Sequence, residues 1–166
     1  MPAAVARGSS RLMLRLSKKA DYALIAMKHL ALREDHGSSS AREIAEQYSI
    51  PVELMAKVLQ RLARRGLLSS QQGTRGGYHL SRDSETISVA DVIQAIDGPL
   101  TVTACSAHDE RCGQFATCNV RDPLWKIRER IVTALATCSV SEMASESPVP
   151  VVAAHASPLS SLPGAR

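Results

Sequence analysis

Three cysteines lie close together in residues 105–118, CSAHDERCGQFATC, a stretch that is otherwise poor in apolar side chains. Six residues separate Cys105 from Cys112, and five separate Cys112 from Cys118. Thiolates bind iron–sulfur clusters and zinc, and pairs of thiols also form reversible disulfides. Structural zinc sites commonly use tighter pairs of cysteines, whereas a cluster can be held by a wider loop. The residues alone therefore leave open a cluster, a zinc site, a thiol switch or no ligand.

The rest of the chain indicates where these thiols work. No apolar run approaches the roughly 18 residues of a membrane helix, and the opening MPAAVARGSSRL lacks the apolar block of a secretory signal. We therefore expect a cytoplasmic protein with reduced thiols and no membrane partner. No residues are spaced as nucleophile and base, so we expect neither an enzyme nor a small-molecule substrate. The fourth cysteine, Cys138, is expected to be a small buried or interface residue.

The elements that must position these residues begin with two short helices and a hairpin. Ser40 and Glu43 form a capping box that begins one helix, and the break at Pro51 separates it from the next. That second helix, residues 52–65, carries an apolar stripe and ends at Gly66. A glycine-rich segment, QGTRGG, then joins two short alternating stretches. This order predicts a winged helix-turn-helix, with a mobile wing tip.

Positive charge is concentrated in this unit. Residues 52–82 contain six Lys or Arg and one acid, a surplus of +5, whereas the whole chain carries +4. Such a concentration is typical of a nucleic-acid-binding surface, so double-stranded DNA is the predicted partner. The candidate contacts are Lys57, Gln60, Arg61 and Arg64 on the second helix and Arg75 at the wing tip. The alternative for the arginines of the helix is an ordinary solvated face.

A second amphipathic segment follows the cysteines. Another short helix begins near Ser88 and stops at Gly98. From the predicted cap at Asp122, apolar residues recur at helical spacing, and one small domain cannot bury them all. We therefore expect a homodimer, with these residues at the dimer interface: Leu124, Ile127, Ile131 and Leu135.

The predicted architecture is mainly α with a small β-hairpin. We divide it into a flexible extension (1–12), a winged helix-turn-helix DNA-binding domain (13–84), a cluster-binding loop with a long dimerisation helix (85–144), and a disordered tail (145–166). The tail is rich in Ser, Pro, Ala and Val and has almost no charge.

Several motifs carry a resemblance to a known family: LRLSKKADYALIAM, REIAEQYSIPVELMAKVLQRLARRGLL, the wing QGTRGGYHLSR, ISVADVIQAIDGP and the three-cysteine loop. Over residues 13–144 the chain resembles the Rrf-type (IscR-like) bacterial winged-helix regulators, and CNVRDPLW is most similar to regulators of SUF-type iron–sulfur assembly operons. The resemblance implies a homodimer whose three cysteines bind an iron–sulfur cluster, either [2Fe-2S] or [4Fe-4S]. It also implies control of iron–sulfur assembly or stress genes.

The fourth ligand departs from the family pattern. The IscR branch has a histidine three residues after the last cysteine, where this chain has Arg121, which cannot ligate. The nitric-oxide-sensing branch uses an aspartate of the opposite subunit at the place of Asp21. Asp21 is therefore the candidate ligand, although an acid in the first turn of a helix also stabilises the helix. His108, within the loop, is a further candidate. The alternative is a cluster-free regulator using the cysteines as a thiol switch, zinc site or nitric oxide sensor.

Overall fold

The computed structural model describes residues 16–73, 76–100, 113–114 and 116–145. Several predictions concern residues outside these ranges: the extension 1–12, the wing-tip Arg75, the loop residues Cys105, His108 and Cys112, and the tail beyond Ser145. These stay predictions.

The described part of the chain contains six α-helices and one antiparallel hairpin: α1 Lys18–Ala31, α2 Ala41–Gln47, α3 Val52–Arg64, β1 Leu68–Gln71, β2 Gly77–Leu80, α4 Val89–Asp97, α5 Arg121–Thr137 and α6 Val140–Ser145. Short 3-10 helices lie at Glu34–His36 and Ser84–Thr86. The predicted fold class, mainly helical with a small hairpin, is confirmed. Among the described residues, no helix is both long and apolar enough to span a bilayer.

Three serines cap the starts of helices. Ser17 Oγ accepts a hydrogen bond from the Ala20 amide (3.1 Å) at the start of α1. Ser40 and Glu43 form the predicted capping box at α2, and Ser88 forms another with Asp91 at α4. The Ser40 amide donates to the Glu43 carboxylate, which lowers the pKa of that carboxyl group. Each cap satisfies amides that the first turn of a helix leaves unpaired.

One core joins α1–α4 and the hairpin. The stripe of α3 faces inward as predicted, and Met55, Leu59 and Leu62 have no exposed surface. They pack with Met27 of α1 and Ile44 of α2 in the same cluster. Removing such side chains from water supplies roughly 1.5–3 kcal/mol each. We call residues 16–97 the winged body.

Helix α5 differs from the prediction at its N-terminal end. It begins at Arg121, so Asp122 lies inside its first turn instead of capping it, and no side chain caps its N-terminal end.

After the C-terminal end of α5, the chain returns to the winged body. The Val89 amide donates to the Cys138 carbonyl (2.9 Å), and the Val140 amide donates to the Ile87 carbonyl (2.8 Å). Val140 of α6 is fully buried. This short returning helix was not predicted from the sequence.

Candidate nucleic-acid interface and cysteine loop

The exposed side of α3 carries Lys57, Gln60 and Arg64. The opposite side of α3 is held in the core, so these three side chains are presented to solvent by a rigid element. Arg64 Nε donates to the Gln60 carbonyl of its own helix at 3.3 Å. A cleft of about 360 Å³ lies between this side of α3 and the hairpin, lined by Gln60, Ala63, Arg64, Ser70 and Tyr78. The two elements of the predicted DNA-binding surface are therefore neighbours.

The turn between α2 and α3 fixes the direction of the exposed helix. Four residues, 48–51, separate the two helices, and the predicted break at Pro51 is the last of them. Ser49 has a φ of 53°, a left-handed conformation that costs a non-glycine residue about 1–2 kcal/mol. Buried Ile50 follows it, and its amide donates to the Ala45 carbonyl at 2.9 Å. Burial of the Ile50 side chain, which this turn makes possible, offsets the backbone strain at Ser49.

Arg61 lies in a different position from its predicted partners. Its Nε donates to the Ala95 carbonyl at 2.9 Å, which directs the guanidinium toward the last turn of α4. Arg61 is exposed, as helical spacing predicts, but its flank of α3 also meets α4, and the sequence does not show which helix packs there. The contact with α4 is a tertiary feature, and the predicted contact of Arg61 with DNA stays a prediction.

The wing is attached to the body through Ser39, in the connection before α2. Ser39 and Tyr78 exchange backbone hydrogen bonds of 3.0 and 2.8 Å. The approach is so close that a Cβ on Gly77 would lie 2.6 Å from the Ser39 carbonyl carbon and oxygen. Gly77, one of the three glycines of the wing motif, is therefore required by its contact with the Ser39 backbone. Gly76 is similarly close to the Gln71 carbonyl oxygen, at 2.6 Å.

His29 stabilises this attachment through two side-chain hydrogen bonds. It is 3% exposed, and its Nε2 forms a hydrogen bond with Ser39 Oγ (3.2 Å) while Nδ1 forms one with Tyr48 Oη (3.3 Å). Burial lowers the pKa of His29, with a smaller contribution from Arg33, and Glu43 acts in the opposite direction. The neutral ring therefore joins α1 to the connection before α2 and to the end of α2. His29 was not predicted as a structural residue, because a lone histidine in a helix gives no signal of burial.

The end of α4 contacts the beginning of α1. The Asp97 carboxylate accepts hydrogen bonds from Ser17 Oγ (2.5 Å) and from the Ser17 amide (3.1 Å). Gly98, with a φ of 86°, ends the helix in the left-handed conformation that suits glycine. The segment that leads to the cysteines starts directly after this contact.

Asp21, the candidate fourth ligand, lies in the first turn of α1. Its side chain is 44% exposed, and one carboxylate oxygen is 4.0 Å from Lys18 Nζ. A weak ion pair of this kind leaves the carboxylate accessible. Its position is compatible with both predicted roles, ligand and helix-stabilising acid.

Of the three loop cysteines, the described ranges include Cys118 alone. Its thiol is free and partly exposed, and it lies three residues before α5. Cys138 lies at the other end of α5, where its thiol donates weakly to the Ser139 carbonyl (3.8 Å). A helix of 17 residues is about 25 Å long. Cys138 is thus too far from Cys118 to bind the same small metal centre.

No group of three potential metal ligands comes together within the part of the chain that the structure describes. Because Cys105 and Cys112 lie outside that part, the predicted metal site remains untested.

Helix α5 exposes the apolar stripe that the sequence assigns to a dimer interface. Leu124, Ile131 and Leu135 are half-buried, and Ile127 is 47% exposed. Trp125 is also partly exposed, with the Arg128 guanidinium 4.6 Å from its ring centre. No residue of α5 is buried. The stripe has the surface that an interface needs, and its predicted role in dimerisation stays a prediction.

Comparisons with known proteins place these features in context. Residues 16–146 match the Rrf2 family, described as iron-dependent transcriptional regulators. The transcriptional regulator IscR of Xenorhabdus nematophila is 35% identical over 131 residues, which cover 78% of this chain and 79% of that protein. CymR, the global cysteine regulator of B. subtilis, superposes with a TM-score of 0.67 at 26% identity over 80% of this chain and 98% of its own. The oxidized form of Staphylococcus aureus CymR gives 0.65 at 25% identity, over 82% and 100%.

Proposed function

The chain belongs to the Rrf2 family of transcriptional regulators, and on that premise we propose that it binds operator DNA as a homodimer and senses its signal through an iron–sulfur cluster held by Cys105, Cys112 and Cys118. The genes controlled would be those of iron–sulfur assembly or stress defence. DNA-binding regulation itself follows from the family. The operator contacts, the dimer interface and the cluster are our proposals.

The observation that carries the DNA-binding surface is the exposed side of α3 beside the hairpin. A helix-turn-helix places the early part of its second helix in the major groove, where long polar side chains reach base edges. Lys57 and Gln60 are long, exposed side chains in the middle of α3, and Arg64 lies one turn farther along. Arg75, at the wing tip, would reach the neighbouring minor groove or backbone.

The donor set fits an iron–sulfur cluster chemically. Cys118 supplies an accessible thiol that is in no disulfide, and Asp21 supplies an accessible carboxylate on a helix end that faces solvent. Three thiolates and one oxygen would complete four ligands, and the oxygen would be the weakest and most easily displaced. When bound, a cluster supplies a group whose charge and ligation change with oxidants or iron supply. The chain's own part is to hold the thiolates on a loop between α4 and α5.

Single cysteine substitutions test the metal site. Cys105→Ala, Cys112→Ala and Cys118→Ala should each remove the visible absorption of anaerobically purified protein and its bound iron and sulfide. Cys138→Ala is the matched control, because it lies a helix length away, and it should keep both. Retained absorption after loss of any loop cysteine would overturn the ligand assignment.

The fourth ligand has its own test. Asp21→Ala should shift the absorption spectrum or accelerate loss of the cluster, while dimerisation measured by light scattering is retained. Asp35→Ala, an exposed acid farther along the chain, is the control. An unchanged spectrum and lifetime would return Asp21 to a helix-stabilising role and make His108 the next residue to substitute.

DNA binding is tested by salt titration with a duplex selected by the parent protein from a randomised library. Lys57→Ala should cost roughly 1–3 kcal/mol if its ammonium contacts a base, with relaxed preference at one operator position. Arg75→Ala should weaken many sequences alike and flatten the salt dependence. Parent-like binding by both variants across the titration would overturn the assigned surface.

One observation favours a second candidate, a cluster-free thiol switch. Staphylococcus aureus CymR has been solved in an oxidized form. In this alternative, two of the three loop cysteines, Cys105, Cys112 and Cys118, would form a disulfide when an oxidant such as a peroxide takes up the two electrons, or all three would bind zinc. Iron and sulfide counts on anaerobically purified protein separate the two candidates, since the switch would contain neither.

A further inference from the structure

The last turn of α4 connects three parts of the molecule. The Ala95 carbonyl accepts from Arg61 Nε of α3 (2.9 Å), and the Asp97 carboxylate accepts from Ser17 at the start of α1. The segment toward Cys105 begins at Gly98. One short turn thus contacts the proposed recognition helix, the helix that carries Asp21, and the beginning of the cysteine loop.

From this arrangement we infer that Arg61 is a positioning residue that couples the cysteine loop to the recognition helix through the last turn of α4, and that it does not read bases. This inference deepens the proposed function and rests on it for the signal. The structural part of the inference is that Arg61 positions the last turn of α4. This part rests only on the hydrogen bond from Arg61 Nε to the Ala95 carbonyl.

The physical basis is the unpaired end of a helix. The last four carbonyls of an α-helix lack partners within the helix, and in α4 the Gln94 carbonyl is paired with the Gly98 amide. The Ala95 carbonyl receives its hydrogen bond from Arg61 instead. A cation at this end also interacts favourably with the helix dipole. Loss of Arg61 would therefore leave a carbonyl without its donor and the dipole without its cation.

The Asp97 contact constrains the same turn from the other side. Asp97 places a negative charge at the N-terminal end of α1, where the dipole of that helix favours it. The end of α4 is thereby held between α1 and α3. A movement of the loop that begins at Gly98 must either shift this turn, and α3 with it, or break one of the two contacts.

The same turn also reaches into the buried core. Ala95 and Ile96 are 6% and 4% exposed and belong to the core cluster that contains the buried side chains of α3. A cleft of about 410 Å³ opens next to Ala95 and is lined in part by Arg65, Arg82 and Gln94. A shift of the turn into this cleft would therefore displace core side chains that belong to the same cluster as those of α3.

Two substitutions separate the hydrogen bond from the charge. In Arg61→Gln, the side-chain amide nitrogen lies the same number of bonds from the backbone as Arg Nε, so a donor is kept and the charge is lost. In Arg61→Lys, the charge is kept, but the donor lies one bond farther out. A positioning role predicts that Gln substitutes better than Lys. A role in reading bases or phosphates predicts the reverse.

The first measurement is amide hydrogen exchange of the cluster-free, full-length protein. Arg61→Lys should raise exchange in residues 92–98 by about fivefold, the effect of one lost hydrogen bond. Arg61→Gln should stay close to the parent. Arg64→Gln is the control for exchange, because the Nε of Arg64 bonds only its own helix. Equal exchange in Arg61→Lys and the parent would overturn the structural part.

The second measurement is the ratio of DNA affinities with and without the cluster, using the duplex selected by the parent. Arg61→Lys should bring this ratio toward one with an unchanged salt dependence, whereas Arg61→Gln should keep the ratio of the parent. A Gln variant with weaker binding and flatter salt dependence, beside a parent-like Lys variant, would overturn the inference. If the parent itself has a ratio of one, the proposed sensing fails, and the exchange experiment still decides whether Arg61 holds α4.

Discussion

The winged body and helix α5 bury their apolar residues in different ways. In the winged body, side chains of α1, α2, α3 and α4 are removed from solvent by one another, and many have no exposed surface. Helix α5 is the longest described helix, at 17 residues, and none of them is buried. The winged body therefore supplies its own core, whereas α5 has a stripe of partly exposed apolar residues that only another surface can cover.

The largest expected effect is in the core of the body. Leu59→Ala should lower the free energy of unfolding by roughly 2–5 kcal/mol, because it leaves a cavity among fully buried neighbours. Leu135→Ala is the matched substitution in α5, at a half-buried site, and should cost less than half as much in dilute, monomeric protein. Urea unfolding measures both. Equal losses would show that the two regions do not differ in this way.

A charge in the stripe of α5 tests what covers it. Ile131→Asp should weaken dimerisation by roughly 3 kcal/mol, because the carboxylate would be desolvated without a partner. Thr133→Asp places the same charge at an exposed position of the same helix and should leave the dimer intact. Light scattering across a dilution series measures the assembly. A stable Ile131→Asp dimer would place the interface elsewhere.

Gly77 and Gly113 differ in the space available for a side chain. Gly77→Ala should cost roughly 1–3 kcal/mol of unfolding free energy, because the new methyl group would meet the Ser39 backbone. A methyl group on Gly113, before α5, would meet nothing within 4 Å, so Gly113→Ala should be nearly neutral. Both are measured by chemical denaturation. A neutral Gly77→Ala would show that the wing can move away from Ser39.

The buried histidine gives the winged body a dependence on pH. The pKa of His29 is lower in the folded chain than its ordinary value of 6.5, so the unfolded chain binds the proton more readily. The stabilising contribution is present above about pH 6.5 and is lost as the pH falls through the folded pKa. His29→Gln should therefore flatten the decline of stability below that pH. The same slope in the parent and the variant would assign the decline to other groups.

The smallest expected effect on stability is at Asp21. Its ion pair with Lys18 is exposed, so Asp21→Asn should change the free energy of unfolding by no more than about 0.5 kcal/mol. Thermal unfolding of the cluster-free protein measures this. A loss well above 1 kcal/mol would mean that Asp21 has a structural role in the winged body. A changed absorption spectrum in Asp21→Ala would then not by itself identify Asp21 as a ligand.

The local features of this protein can be predicted from residue spacing along the chain. Ser40 with Glu43, the break at Pro51 and the stripe containing Leu59 depend on neighbours within a few residues, so spacing predicts them directly. The amphipathic character of α5 was likewise visible from Leu124 onward.

The contacts between distant segments depend on how the helices pack. Arg61 meets Ala95, 34 residues away, and His29 meets Tyr48 and Ser39, because helices that are remote in sequence pack together in one core. The return of α6 onto the winged body has the same origin. Periodicity shows which face of a helix is apolar, but not which helix will cover the flank of that face. A polar side chain at such a flank, like Arg61, receives its partner only when the core has formed.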